Sequence, residues 1–155
     1  MKIQKIYIDT SVIGGCFDSE FVIWSRGIIK DFENGFFKPV ISEVVSTEIL
    51  DAPQFVREEY NKILKMKPEI LKINEQVLEL VNSYQKHDIL GQRFQNDMLH
   101  IALATVAEVD ILVSWNFKHI VRFDKIRLFN AVNIENGFKK LEIFSPREVT
   151  TYERN

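Results

Sequence analysis

Two periods of apolar residues alternate along this chain. Residues 3–8 are a run of β-formers and predict a strand, and 11–17 predict a short helix that Thr10 or Ser11 would cap. A helix is expected over 22–33, closed by Asn34-Gly35, followed by a short apolar strand at 38–41. Ser42 then caps a helix that Pro53 must stop, and a further helix covers 54–66. Residues 70–73 suggest a short strand. Over 74–86, Val77, Leu80, Val81 and Tyr84 fall on one face at helical spacing. Residues 93–107 are apolar almost all round and predict a buried helix, and 110–114 (DILVS) a buried strand. The stretch 116–137 is mixed, with Asn130, Asn133, Asn136 and Gly137 marking loops, and 141–144 is a last strand before Ser145-Pro146.

Strands separated by helices predict an α/β fold with a central parallel sheet flanked by helices. The unbroken apolar character of DILVS suits a strand covered on both faces. The chain has 155 residues, without repeats or linkers, which is enough for one domain with a substantial core; residues 1–150 are assigned to it and 151–155 to a tail. In such sheets ligands bind beyond the carboxyl ends of the strands. That rule gives meaning to Asp9, a charge that ends the apolar run Ile6-Tyr7-Ile8 at such a place. A helix cap or a solvated loop position would explain Asp9 alone, so its companions matter.

Glu48 borders the apolar stripe of its helix, three residues after Val45 and four after Val44, while Glu43 reads as a first-turn charge favoured by the helix dipole. Asp97 shares a face with Ile101 and Ala104 on the most apolar helix. Burying a charge there is costly unless a cation or hydrogen bonds compensate it, although the N-terminal dipole also favours an acid in that turn. His100 follows at i+3; with no HExxH motif or Cys/His cluster beside it, it reads as a packed rim residue and not a zinc ligand. Asn116 stands at the carboxyl end of the DILVS strand. Asp110 stands at the other end, roughly 20 Å away at ~3.3 Å per residue, too far to share a ligand. Carboxylates with hydroxyl and amide oxygens and no cysteine describe a hard-cation site, which suits Mg²⁺ or Mn²⁺. Such ions act on phosphate esters by activating water and stabilising both oxygens of an in-line displacement.

Composition narrows the setting. Hydrophobic residues are 46% and charged residues 27%, the profile of a globular protein. The net charge of -2 lacks the basic footprint of a nucleic-acid binder, an objection that lapses where bound cations supply the positive charge. The single Cys16 cannot close an internal disulfide, no apolar run is long enough for a membrane span, and Met1 leads straight into strand-like sequence. These features predict a cytoplasmic protein without a leader or a membrane association.

Together, "YIDTSVI", "STEIL", "NDMLHIALA" and "ILVSWNFKHI" resemble the PIN-domain ribonucleases, most closely the VapC-type toxins of prokaryotic toxin–antitoxin pairs. The similarity covers nearly the whole chain and includes the end "NAVNIENGFKKLEIFSPREV". Each motif alone is weakly specific; their order and spacing carry the likeness. The resemblance implies a PIN-like single domain and a Mg²⁺/Mn²⁺-dependent endoribonuclease that cleaves RNA, silenced by a cognate antitoxin and commonly a homodimer. It matches Asp9, Glu48 and Asp97 to acidic metal-site positions. Asn116 falls where many members carry a fourth acid, which leaves the number of bound metals open. Thr10 or Ser11 would orient metal-bound water, and Lys118 and His119 are accessory candidates for phosphate or simply solvated charges. Among the 12 Phe, 4 Tyr and 2 Trp, residues Phe21, Trp24, Phe36 and Phe37 are candidates for a dimer or antitoxin surface, or for the core.

Rival readings lack their own marks. A haloacid-dehalogenase-type phosphatase wants an acid at position 11, which is Ser, and dinucleotide binding wants a glycine-rich first turn, whereas Gly14-Gly15 comes late. A receiver domain wants an acidic pair after the first strand. The remaining alternatives are a catalytically degenerate PIN-fold module that binds RNA or a partner, and a solitary nuclease without an antitoxin.

Overall fold

The computed structural model describes residues 2–152. The chain runs β1 (Gln4–Ile8), α1 (Thr10–Gly15), α2 (Val22–Glu33), β2 (Phe37–Ser42), α3 (Glu43–Ile49), α4 (Gln54–Lys65), β3 (Glu69–Leu71), α5 (Glu75–Lys86), α6 (Gln95–Val106), β4 (Ile111–Val113), α7 (Phe123–Glu135), β5 (Glu142–Phe144) and α8 (Pro146–Val149), with a 3-10 turn at Gln92–Phe94 before α6. The strands form one parallel sheet in the order β3-β2-β1-β4-β5. This is the expected α/β sandwich around a central parallel sheet, in a single domain.

Alternation along β1 splits the core. Ile6 and Ile8 face one layer with Val12, Ile28, Val45 and Ile63, whereas Tyr7 faces the other with Leu80, Ile101, Leu112 and Phe129. Helices α1, α2 and α4 cover the first face, and α5, α6 and α7 cover the second. The strand order places β1 beside β4, with Ile8 opposite Val113. The chain leaves β1 toward one face and β4 toward the other, so a crevice opens beyond the ends of these two strands. Asp9, Ser11, Ser114 and Asn116 all lie on the segments that leave it.

Several boundaries differ from the sequence reading, each for a reason visible in the contacts. The cap of α1 is Asp9 itself, without a side-chain capping bond, because the Thr10 and Ser11 hydroxyls go to carboxylates instead. Ser42 caps α3 as expected by accepting from the Val44 N–H, but α3 ends at Ile49, before Pro53, which becomes the cap of α4. The expected loops in 116–137 are largely the 13-residue helix α7. Asn130 and Asn133 lie buried within it: Asn130 pairs with the backbone N–H and C=O of Leu141, and Asn133 pairs with Thr105 and Tyr84. Asn136 caps that helix and Gly137 takes φ +85°, a left-handed turn suited to glycine. The short last helix, α8, uses Ser145 and Glu148 as a capping box.

The aromatic candidates for a surface are mostly absorbed. Phe21 stacks on Trp115 at 4.1 Å, Trp24 and Phe37 are half-buried, and only Phe36 of the four is exposed. Gly15 makes room for this packing, because a Cβ there would meet Ser25 Oγ at 2.4 Å and the Trp115 indole nitrogen at 2.7 Å. Packing does not stop at residue 150, since Thr150 and Thr151 both donate to the buried Asp31; residues 153–155 of the expected tail lie outside the described residues. No helix among the described residues is long and apolar enough to cross a membrane.

Candidate active site

Asp9 is buried at the carboxyl end of β1, and each of its oxygens accepts one hydroxyl: Ser11 at 2.6 Å and Ser114 at 2.6 Å. Both hydroxyls are themselves fixed. Ser11 Oγ accepts the backbone N–H of Trp115, and Ser114 Oγ accepts that of Asn116, each at 2.9 Å. Burial pushes the Asp9 carboxyl above the ordinary carboxylate range, and the nearby Glu48 charge adds to the rise, while His100 and the two hydroxyls oppose it.

Glu48 reaches the same region from α3. Its Oε1 accepts from the Thr10 hydroxyl at 2.6 Å and from His100 Nε2 at 2.9 Å, and its Oε2 accepts from the Asn96 amide at 3.3 Å. Partial burial alone would raise this carboxyl, but the hydrogen bond and charge of His100, with Thr10 and Asn96, hold it at about 2. His100 is raised in return: Glu48, then Asp9 and Asp97, outweigh the opposing effect of burial.

Asp97 pairs with His119 Nδ1 at 2.9 Å. The imidazole of His119 packs at a tilt against Phe94, with ring centres 4.0 Å apart, and its backbone N–H donates to Asn116 Oδ1 at 2.9 Å. That same amide oxygen accepts from the Lys118 N–H at 3.2 Å, so Asn116 closes the turn after β4 and sets His119 against Asp97. His119 is thus a hydrogen-bonding partner of Asp97 and not a solvated side chain, whereas Lys118 is exposed.

Glu48 touches the His100 imidazole, and the charges of Asp9 and Asp97 also act on it. Three acids against two histidines leave the crevice short of positive charge, and every hydrogen bond to the three carboxylates comes from a hydroxyl, an amide or an imidazole. The donor chemistry therefore fits a hard divalent cation: oxygen ligands, a deeply buried carboxylate raised by desolvation, and no thiol among them. Among the described residues no three such side chains are yet gathered into a metal centre; each acid is spent on protein donors.

The remaining acids lie elsewhere. Asp110 accepts the Lys5 backbone N–H at 2.7 Å at the amino end of the sheet, and Glu43 accepts the Ile73 N–H, tying α3 to the exit of β3. Asp110→Asn is therefore expected to leave the metal dependence of any activity unchanged, which a Mn²⁺ titration of the variant checks; a shifted midpoint would relocate the site.

His100 is the packed, satisfied residue that the sequence suggests; its bond to Glu48 and the part of Asn96 are what sequence reading misses, although Asn96 and His100 stand at i and i+4 on one face of α6. Tyr7, which donates or accepts at His100 Nδ1 at 2.6 Å, gave no signal, since an aromatic in a buried strand is ordinary.

No protein-family model matches the chain, and no curated protein matches it. Solved structures that contain a similar chain include the following three. One is VapBC2 from Rickettsia felis bound to a DNA fragment from its promoter, at TM-score 0.59 and 15% identity over 92% of this chain and 98% of that one. Another is FitAcB from Neisseria gonorrhoeae, at TM-score 0.59 and 16% identity over 93% and 99%. The third is VapBC-1 from nontypeable Haemophilus influenzae, at TM-score 0.54 and 15% identity over 93% and 99%. At such identities the likeness establishes a shared PIN-like fold.

Proposed function

We propose that this chain is a Mg²⁺/Mn²⁺-dependent endoribonuclease of the VapC kind, the toxin of a toxin–antitoxin pair. The observation that carries this reading is the buried Asp9 carboxylate at the β1/β4 crevice, with Glu48 held by His100 and Asp97 held by His119 on the elements beside it. Asp9, Glu48 and Asp97 would hold the ion. When bound, a divalent ion activates water and stabilises the charge on a phosphodiester undergoing in-line displacement. The rest is done by the chain's own groups. Ser11 and Ser114 orient Asp9, Thr10 and His100 orient Glu48, and His119 orients Asp97. The exposed Lys118 beside the crevice is available to an RNA phosphate.

The neighbouring structures are of VapBC and FitAcB, and the matched fold carries an acidic crevice, which supports the nuclease member of such a pair in preference to its partner. A cognate antitoxin, a homodimer and a cytoplasmic location belong to the same proposal. One observation favours the second reading, a non-cutting module that binds RNA or a partner: every site carboxylate is already hydrogen-bonded within the protein.

Calorimetric titration with Mn²⁺, run beside RNA cleavage, separates the two readings. Saturable Mn²⁺ binding with metal-dependent cleavage is expected. No saturable binding and no cleavage would leave the non-cutting module.

A further inference from the structure

We propose that His100, held in turn by Tyr7 and Ser42, is a positioning residue that fixes the Glu48 carboxylate in the site; its catalytic consequence rests on the nuclease reading above. The chain of contacts is continuous: Ser42 Oγ to Tyr7 OH at 2.7 Å, Tyr7 OH to His100 Nδ1 at 2.6 Å, and His100 Nε2 to Glu48 Oε1 at 2.9 Å. Ser42 Oγ also accepts the Val44 N–H at 3.2 Å. The path begins at the cap of α3, crosses β1 and α6, and returns to α3 at Glu48. It therefore ties both ends of a seven-residue helix to two different elements of the fold.

Burial separates the brace from what it braces. Ser42, Tyr7 and His100 are 0%, 0% and 2% exposed, whereas the Glu48 side chain is 29% exposed. A glutamate on the open side of a short helix loses rotamer entropy when it is ordered. Fixing it beforehand removes that cost from the transition state, whose charge the carboxylate must meet in one geometry. The network is satisfied in one sense: with the proton on Nε2, Glu48 accepts from it, Nδ1 accepts from Tyr7, and Tyr7 accepts from Ser42, whose oxygen takes the Val44 N–H. His100 itself is too deeply buried to meet a substrate, so its part is played through Glu48. The Oε1 atom is committed to this brace and to Thr10, while Oε2 has only the longer Asn96 contact at 3.3 Å.

Steady-state cleavage of a fluorophore- and quencher-labelled single-stranded RNA with Mn²⁺ tests the proposal. His100→Phe and Tyr7→Phe are expected to lower kcat by about 10–100-fold, the scale of lost support behind an active-site ligand. KM for the RNA should stay within about twofold, because uniform binding is untouched. His100→Gln restores a donor to Glu48 and is expected to regain most of the loss. Wild-type kcat in His100→Phe, a matching rise in KM, or no recovery in His100→Gln overturns the proposal. Should His100→Phe fail to fold, Tyr7→Phe carries the same comparison.

Proton–nitrogen NMR of the metal-free protein gives a readout without RNA. The Nε2–H of His100 is expected as a slowly exchanging resonance that exchanges rapidly in Tyr7→Phe. Its absence from the wild-type spectrum overturns the brace whatever the protein cleaves. A protected resonance in a protein that cleaves no RNA supports the brace and removes the nuclease reading instead.

Discussion

Asp9→Asn is expected to abolish Mn²⁺-dependent RNA cleavage and, in metal-free protein near neutral pH, to raise the melting temperature. The loss of activity should be at least about 10²–10³-fold, the scale on which removing one preorganised electrostatic group acts. The gain in stability follows from the raised carboxyl. A group whose pKa rises on folding contributes stability below its unfolded value of 3.8, and that contribution is lost as pH climbs through the folded value. At neutral pH the buried charge therefore opposes folding, and a neutral amide of the same shape removes the opposition while Ser11 and Ser114 stay within hydrogen-bond reach. Glu48 has the opposite sign: its contribution is present above 4.5 and disappears as pH falls toward about 2, so the variant keeps that acid-side loss. Melting curves in EDTA across pH, beside a cleavage assay, check both halves. Wild-type cleavage in the variant would remove Asp9 from the site. A lowered melting temperature in EDTA would make the carboxylate a structural group. A site that sacrifices stability for chemistry is common at functional positions.

The second large effect lies far from the crevice. Asn130→Ala is expected to destabilise the protein by about 2–6 kcal/mol, because two buried backbone groups lose their partner at about 1–3 kcal/mol each. Those groups are the Leu141 N–H, which donates to Asn130 Oδ1 at 2.7 Å, and the Leu141 C=O, which accepts from Asn130 Nδ2 at 3.0 Å. The pair docks the entry of β5 onto α7. Asn130→Leu should fare no better, since apolar bulk leaves the same two groups unpaired. Urea unfolding measures the change, and a shift below about 0.5 kcal/mol, the range of an ordinary surface substitution, would show that water replaces the amide.

Asn130 also shows why part of the fold was hidden. An isolated asparagine costs a helix up to ~0.7 kcal/mol relative to alanine, so two of them within 123–135 read as loop. In the folded protein those amides each satisfy buried partners, and Phe129 and Val132 bury the same face. Tertiary hydrogen bonds outweighed local propensity. By contrast α2 runs over Val22–Glu33 as expected, and Gly35 closes it at φ +76°, because its spacing and stop signal both act within a few residues.

By itself, the sequence determined the alternation of strand and helix, hence the parallel sheet, and the placement of Asp9 and Asn116 at strand ends where such sheets build sites. It also marked Glu48 and Asp97 as charges bordering apolar faces. These are properties of short windows, set by period, caps and the cost of a buried charge. Only the tertiary structure decided that β4 lies beside β1, that Ser114 and Ser11 share the two oxygens of Asp9, and that His100 joins Tyr7 to Glu48. It likewise turned Asn116 toward its own turn, where it sets His119 on Asp97. Those partners lie up to 105 residues apart in the chain, and no local pattern encodes them. Their pairing is settled when the two faces of the sheet pack and buried polar atoms must find one another.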